Sequence, residues 1–177
     1  MEAIYAVDLE NGLSKDGIIP WKSIKDLKFF YSTTKNNIVL MGKNTYFSLP
    51  NEIKPLKNRL NIVLTKNPEQ HNNSNSDKNN LLFTNDSKIY EFILNNREKY
   101  LNMYPFLSSN FKIFIIGGKN VYEQFISLCD KVWVTTIKKT YSCDLIMENN
   151  ILNGFKEIKI IDEDDDLIIK LYSHIKL

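Results

Sequence analysis

Residues 112–125 read KIFIIGGKNVYEQF, and this stretch decides the fold class. Four consecutive apolar residues, Ile113 to Ile116, run into Gly117-Gly118 and then into Val121, Tyr122 and Phe125 at helical spacing. A short apolar run closed by glycine reads as a buried strand, and the three- and four-residue spacing after it as one helix face. A strand feeding a helix in this way belongs to a parallel sheet, because parallel strands need a crossover connection to return.

The same layout recurs upstream. Asn37 to Gly42 is a strand ending at a glycine, and Lys43 to Leu49 follows as a short helix. Ala3 to Val7 is another buried strand. It leads into a long aperiodic loop, Asp8 to Pro20, that carries Gly12 and Gly17. After Trp21, Ser23 is a natural N-cap for a helix bearing Leu27, Phe30 and Tyr31. Arg59 to Thr65 is a strand, residues 67–80 are a polar Asn-rich surface loop, and Leu81 to Thr84 is short and apolar. Asp86 or Ser87 caps a helix with Ile89, Phe92 and Ile93. Lys131 to Ile137 is a strand, and Phe155–Ile161 and Leu167–Ile175 alternate like an antiparallel pair around the acidic turn Asp162 to Asp166. The order predicts an α/β fold, a mostly parallel sheet with a C-terminal antiparallel hairpin, in one domain over residues 1–177.

Bulk composition narrows the partners. In 177 residues, a net charge of +2 without a Lys/Arg block argues against nucleic acid or an acidic membrane as main partner. Cys129 and Cys143 are the two cysteines. They form neither a metal motif nor a disulfide framework, which points to a reduced, cytoplasmic protein. No apolar run approaches the ~20 residues of a membrane-spanning helix. The sequence shows no metal-ligand constellation, and neither His71 nor His174 sits in a catalytic pattern.

Four features could carry chemistry. Asp26 lies on the helix after Ser23, among Leu27, Phe29 and Phe30. It is either an ordinary solvated helix charge or an acid on the apolar side that needs a partner. Gly117-Gly118 is either a tight turn or a place where backbone N–H groups approach a phosphate. Gly42-Lys43-Asn44-Thr45 repeats that layout with a cation and a hydroxyl. Arg59, at the head of a strand, is either solvated or a bidentate clamp for a carboxylate.

Read together, these segments resemble the dihydrofolate reductases. The matching string is Ala6-Val7, Gly12-Leu13, Lys15-Asp16-Gly17-Ile18-Ile19-Pro20-Trp21, Asp26-Leu27 and Phe30. It continues with Met41-Gly42-Lys43-Asn44-Thr45-Tyr46, Pro55-Leu56-Lys57-Asn58-Arg59 and Asn61 to Thr65. It closes with Ile115-Ile116-Gly117-Gly118, Val121 to Phe125, and Thr135. The order and mutual spacing span nearly the whole chain.

The resemblance implies a three-layer α/β/α fold with an eight-stranded twisted sheet and four flanking helices. It implies NADPH as cofactor, dihydrofolate as substrate, antifolates as inhibitors, and a monomer. Asp26, with Trp21 and Thr135, would be catalytic, burial raising the pKa of Asp26. Ile4, Tyr5, Leu27, Phe30, Leu49, Leu56 and Ile116 would line the pterin, and Arg59 would hold the glutamate tail. For the cofactor, Ala6 and Gly12, Leu13, Ser14, Lys15, Asp16, Gly17, Ile18 and Ile19 would cover the nicotinamide. Lys43, Asn44 and Thr45 would meet the phosphates, and Leu64, Thr65 and Lys66 the adenosine end. Ile116, Gly117, Gly118, Lys119, Asn120, Val121 and Tyr122 would wrap the pyrophosphate and ribose. In the family the two glycines are joined by a cis peptide.

The chain departs from the family pattern in places. Ser14 stands for a common glycine, Tyr5 for a small residue, and Lys119-Asn120 follow where many members have a third glycine. Residues 143–147 keep only Asp144 of their motif. A riboflavin-pathway reductase sharing the fold would need neither the Trp21-to-Asp26 spacing nor Arg59. A silent nucleotide-binding module would need none of Asp26, Arg59 and Thr135.

Overall fold

The computed structural model describes residues 1–72 and 79–175. In chain order its elements are β1 (Glu2–Val7), β2 (Gly12–Ser14), α1 (Ile24–Thr34), β3 (Ile38–Gly42), α2 (Lys43–Ser48), β4 (Leu60–Leu64), α3 (Glu69–Asn72) and β5 (Leu81–Thr84). There follow α4 (Ile89–Asn95), α5 (Arg97–Met103), β6 (Ile113–Ile115), α6 (Lys119–Phe125), β7 (Lys131–Ile137), β8 (Leu145–Ile146), β9 (Phe155–Glu163) and β10 (Leu167–His174). Eight of these strands are sheet strands, and β2 with β8 forms a separate pair. The mixed α/β class and the C-terminal hairpin are those expected from the sequence.

The chain divides into two compact units, one of Met1–Ser32 with the chain from Ile115 onward, the other Thr33–Phe114. In the first, strands lie in the order β1-β7-β10-β9. β1 runs parallel to β7, pairing Ile4 with Trp133 and Ala6 with Thr135. β10 is antiparallel to both β7 and β9. Side chains alternate across a sheet, so Ile4, Ala6, Trp133 and Thr135 share one face and Tyr5 takes the other. On the first face Trp21, Ile137, Leu167 and Ile169 form a core against which Ala6 and Phe29 pack.

In the second unit β3 and β4 pair in parallel, as do β4 and β5. Their residues Ile38, Val39, Leu40, Met41, Leu60, Ile62 and Val63 are fully buried. Strands buried on both faces read as continuous apolar runs, which is why they are legible.

Three expectations change. The segment Asp8 to Pro20 is not loop throughout, because its residues Gly12–Ser14 form β2, which pairs with the distant β8. The polar stretch 67–80 contains the single helical turn α3, because Pro68 accepts the His71 N–H; its residues 73–78 lie outside the described part. The described residues carry six α-helices where four were implied. The additional ones are that single turn and a division at Asn96, where φ −124° and ψ 38° break the helical path between α4 and α5.

Candidate active site

Asp26 occupies the third position of α1, where Ser23 Oγ accepts its backbone N–H at 3.1 Å. Ser23 is thus the N-cap that the sequence suggested. A carboxylate in the first turn gains about 0.3–1 kcal/mol from the helix dipole, yet burial prevails. Desolvation lifts the pKa of Asp26 above the carboxylate range, and a hydrogen bond with the Thr135 hydroxyl only partly offsets it. Thr135 is 2% exposed and lies on the same face of β7 as Trp133, which meets Phe29 of α1 ring to ring at 6.0 Å. Of the alternatives open to Asp26, the paired acid on the apolar side is the one observed. Trp21 is buried, and its indole N–H has no acceptor among the described residues. An unmatched buried donor costs about 1–3 kcal/mol, so it is a candidate hydrogen-bond donor to a bound ligand.

The glycine junction belongs to the same unit. Gly117 has φ +119°, and a Cβ there would meet the Tyr122 ring at 3.2–3.4 Å. A side chain there would crowd Tyr122 on a backbone conformation that L residues rarely adopt, so glycine leaves the backbone bare. The Gly117–Gly118 peptide is cis, as the family pattern implies. The Tyr122 hydroxyl donates to the Ile4 carbonyl at 2.9 Å, and its proton is held more tightly by burial and by the nearby Tyr5 and Asp26. Tyr122 therefore links the junction to the β1 segment beside the acid. Tyr5 itself packs against Tyr122, ring centroids 5.4 Å apart, on the side of β1 opposite Ile4 and Ala6. The side chain of Tyr5 thus supports the junction and does not share the Asp26 face.

The loop between β1 and α1 is tied down by two aspartates. Asp8, 1% exposed, accepts backbone N–H bonds from Glu10 (2.9 Å) and Gly12 (2.8 Å) through Oδ1 and from Tyr141 (2.9 Å) through Oδ2. Burial alone would raise its pKa, but these donors, with the Cys143 thiol, bring it below the ordinary range. Asp144 accepts the Asp16 N–H at 2.9 Å, and its own N–H reaches the Ser14 carbonyl at 3.2 Å. Between them Lys15 and Ile18 exchange two backbone hydrogen bonds around Asp16-Gly17, both at positive φ. That is the Asp-Gly hairpin turn. Ile18, Ile19 and Leu27 remain largely exposed.

Of the remaining candidates in the first unit, Phe30, Ile116 and Lys119 are half-buried, Asn120 is exposed and Val121 is buried; the others belong to the second unit. Lys43 and Asn44 are exposed and Thr45 half-buried at the start of α2. Leu49, Leu64 and Thr65 are half-buried, Lys66 is exposed, and Leu56 is buried. Arg59 is 5% exposed, its Nε donating to the Lys57 carbonyl and its Nη1 to Thr34 Oγ1, both at 3.1 Å. It is not a solvated surface arginine but a guanidinium of fixed orientation.

A family model described as dihydrofolate reductase matches residues 1–172. The chain belongs to the dihydrofolate reductase family. A dihydrofolate reductase of Ureaplasma parvum is 34% identical over 176 residues, covering 99% of this chain and 98% of that one. That of Aedes albopictus is 30% identical, covering 93% and 85%. Among solved structures, an Enterococcus faecalis dihydrofolate reductase complexed with NADP(H) and RAB-propyl superposes with a TM-score of 0.73. It is 23% identical and covers 99% of this chain and 96% of that one, a likeness of fold.

Sequence reasoning missed Asp8, Asn61 and Asn80. Asp8 had one usable signal, an acid closely followed by Gly12 in a loop, but its acceptor role depends on Tyr141, 133 residues away. The family pattern sets Tyr122 at the cofactor and carries no sign of its bond to Ile4.

Proposed function

We infer that the protein reduces 7,8-dihydrofolate to 5,6,7,8-tetrahydrofolate with NADPH, as members of its family do. The observation that carries this reading is Asp26: an acid whose charge is disfavoured by burial, hydrogen-bonded to buried Thr135, in one unit with the Gly117-Gly118 junction. Bound NADPH supplies the hydride, delivered to C6 of the pterin while N5 gains a proton.

The chain's own contribution is placement and electrostatics. The Asp26 carboxyl engages the pyrimidine edge and Thr135 orients it. Burial makes the proton of that carboxyl harder to lose, which favours protonation at N5 by way of water. The Trp21 N–H donates to a group bound beside the acid. Ile4, Leu27, Phe30, Leu49, Leu56 and Ile116 exclude water from the ring, and Arg59 receives the glutamate carboxylate.

The residues present fit the cofactor. The bare backbone of Gly117-Gly118 admits a close-approaching pyrophosphate, with Lys119 to Tyr122 beyond it. Ala6 and residues 12–19 cover the nicotinamide. Lys43, Asn44 and Thr45 take phosphates, and Leu64, Thr65 and Lys66 the adenosine end. Lys43 and Lys66 favour the additional phosphate of NADPH over NADH. Tyr5 acts from behind, through Tyr122.

The 177 residues work as one catalytic domain, monomeric and cytoplasmic, and antifolates compete for the pterin position. No helix among the described residues is long and apolar enough to cross a membrane. Asp26→Asn should bind NADPH with unchanged affinity by fluorescence titration yet lose roughly 100-fold or more in turnover at neutral pH. Near-normal turnover would remove Asp26 from the mechanism.

A further inference from the structure

We propose that Asn61, backed by Asn80, is a positioning residue that sets how firmly Arg59 grips the substrate's carboxylate tail. This rests on the reading of Arg59 given above. Asn61 lies in β4 between Leu60 and Ile62 and is 0% exposed. An amide there is costly unless every polar atom is satisfied, and this one is. Its Oδ1 accepts the Leu56 N–H at 2.9 Å. Its Nδ2 donates to the Leu56 carbonyl at 2.9 Å, the Arg59 carbonyl at 3.0 Å and the Asn80 carbonyl at 3.3 Å.

Asn80 repeats the pattern from the neighbouring segment. Its Nδ2 donates to the same two carbonyls, Leu56 at 3.2 Å and Arg59 at 3.1 Å, and its own carbonyl accepts the Asn61 N–H at 2.8 Å. Two amides thus clip both ends of the turn Leu56-Lys57-Asn58-Arg59, in which Asn58 takes the left-handed φ of +56°. The turn in turn aims the guanidinium, because Arg59 Nε donates to the carbonyl of Lys57 inside it. Bidentate recognition of a carboxylate depends on the direction of the guanidinium plane. A loosened turn therefore weakens the tail contact without touching the chemistry at the other end of the substrate.

The test compares two substrates, dihydrofolate and dihydrobiopterin, a dihydropterin with no carboxylate tail. Asn61→Asp puts an acceptor against the Leu56 and Arg59 carbonyls, and Asn80→Ala removes the backing amide from a half-buried site. Both should raise KM for dihydrofolate roughly tenfold, the scale of one charge-assisted hydrogen bond, with kcat within about twofold. Constants for dihydrobiopterin should not move. Equal changes for both substrates, or no change for either, would overturn the proposal. Melting curves establish folding, and Asn80→Ala keeps the comparison readable should Asn61→Asp unfold. Arg59→Lys separates the two layers. If it leaves the preference for dihydrofolate intact, the tail reading fails; if it abolishes that preference while both asparagine variants keep it, only the positioning role fails.

Discussion

Asp26 and Asp8 are both acids in contact with buried groups, and their environments push them in opposite directions. Burial dominates at Asp26 and raises its pKa, whereas the backbone donors outweigh burial at Asp8 and lower it. The consequences for stability have opposite signs. The contribution of Asp26 is present in acid, below the ordinary carboxyl pKa, and is lost as pH rises through its raised value. Asp26→Asn, which cannot ionise, should therefore melt above the natural protein at pH 7, with the gap closing below about pH 4. Calorimetry across that range checks both the sign and the window. On the rate side, hydride transfer should slow as pH rises past the raised pKa of Asp26. The contribution of Asp8 is present at neutral pH and lost as pH falls through its lowered value. Asp8→Asn turns an amide donor toward backbone N–H groups that already need an acceptor. It should cost about 1–3 kcal/mol in denaturant unfolding at pH 7, and a change within error would deny Asp8 this anchoring role.

Among the elements, the parallel strands were legible in the sequence and the β2–β8 pair was not. β3 and β4 announce themselves because every residue of Ile38–Met41 and of Leu60–Val63 is buried, leaving Asn61 as the single polar interruption. β2 and β8 have three and two residues, and the latter pair is exposed. No periodicity can be read from so short a run. The Asp16-Gly17 signal for a hairpin was nevertheless present. The helix α5 escaped notice because Tyr100 is its one buried side chain. Close packing at the β2–β8 pair gives a test. A Cβ at Gly12 would lie 2.5 Å from Cys143 Cβ and Sγ and 2.8 Å from Asp8 Oδ1. Gly12→Ala should force the two segments apart, speed hydrogen exchange at Ser14 and Asp144, and raise KM for NADPH several-fold. Unaltered exchange would mean that the pair yields without opening.

Over the whole molecule, family and fold follow from short motifs in a fixed order. Several of the hydrogen bonds that fix the site residues join positions far apart in sequence. Tyr122 meets Ile4 across 118 residues, and Cys143 meets Asp8 across 135. Such contacts arise only when elements assemble, so residue types could be named in advance while their partners could not. Arg59 shows the difference, since its sequence position suggested a guanidinium at a sheet end and the structure adds Thr34 and Lys57 as its fixed acceptors. The most direct measurement follows the NADPH absorbance with purified protein. Addition of dihydrofolate should make it fall, and methotrexate should stop the fall. Consumption of NADPH only with a ribityl-type pyrimidine, and none with dihydrofolate, would contradict the account.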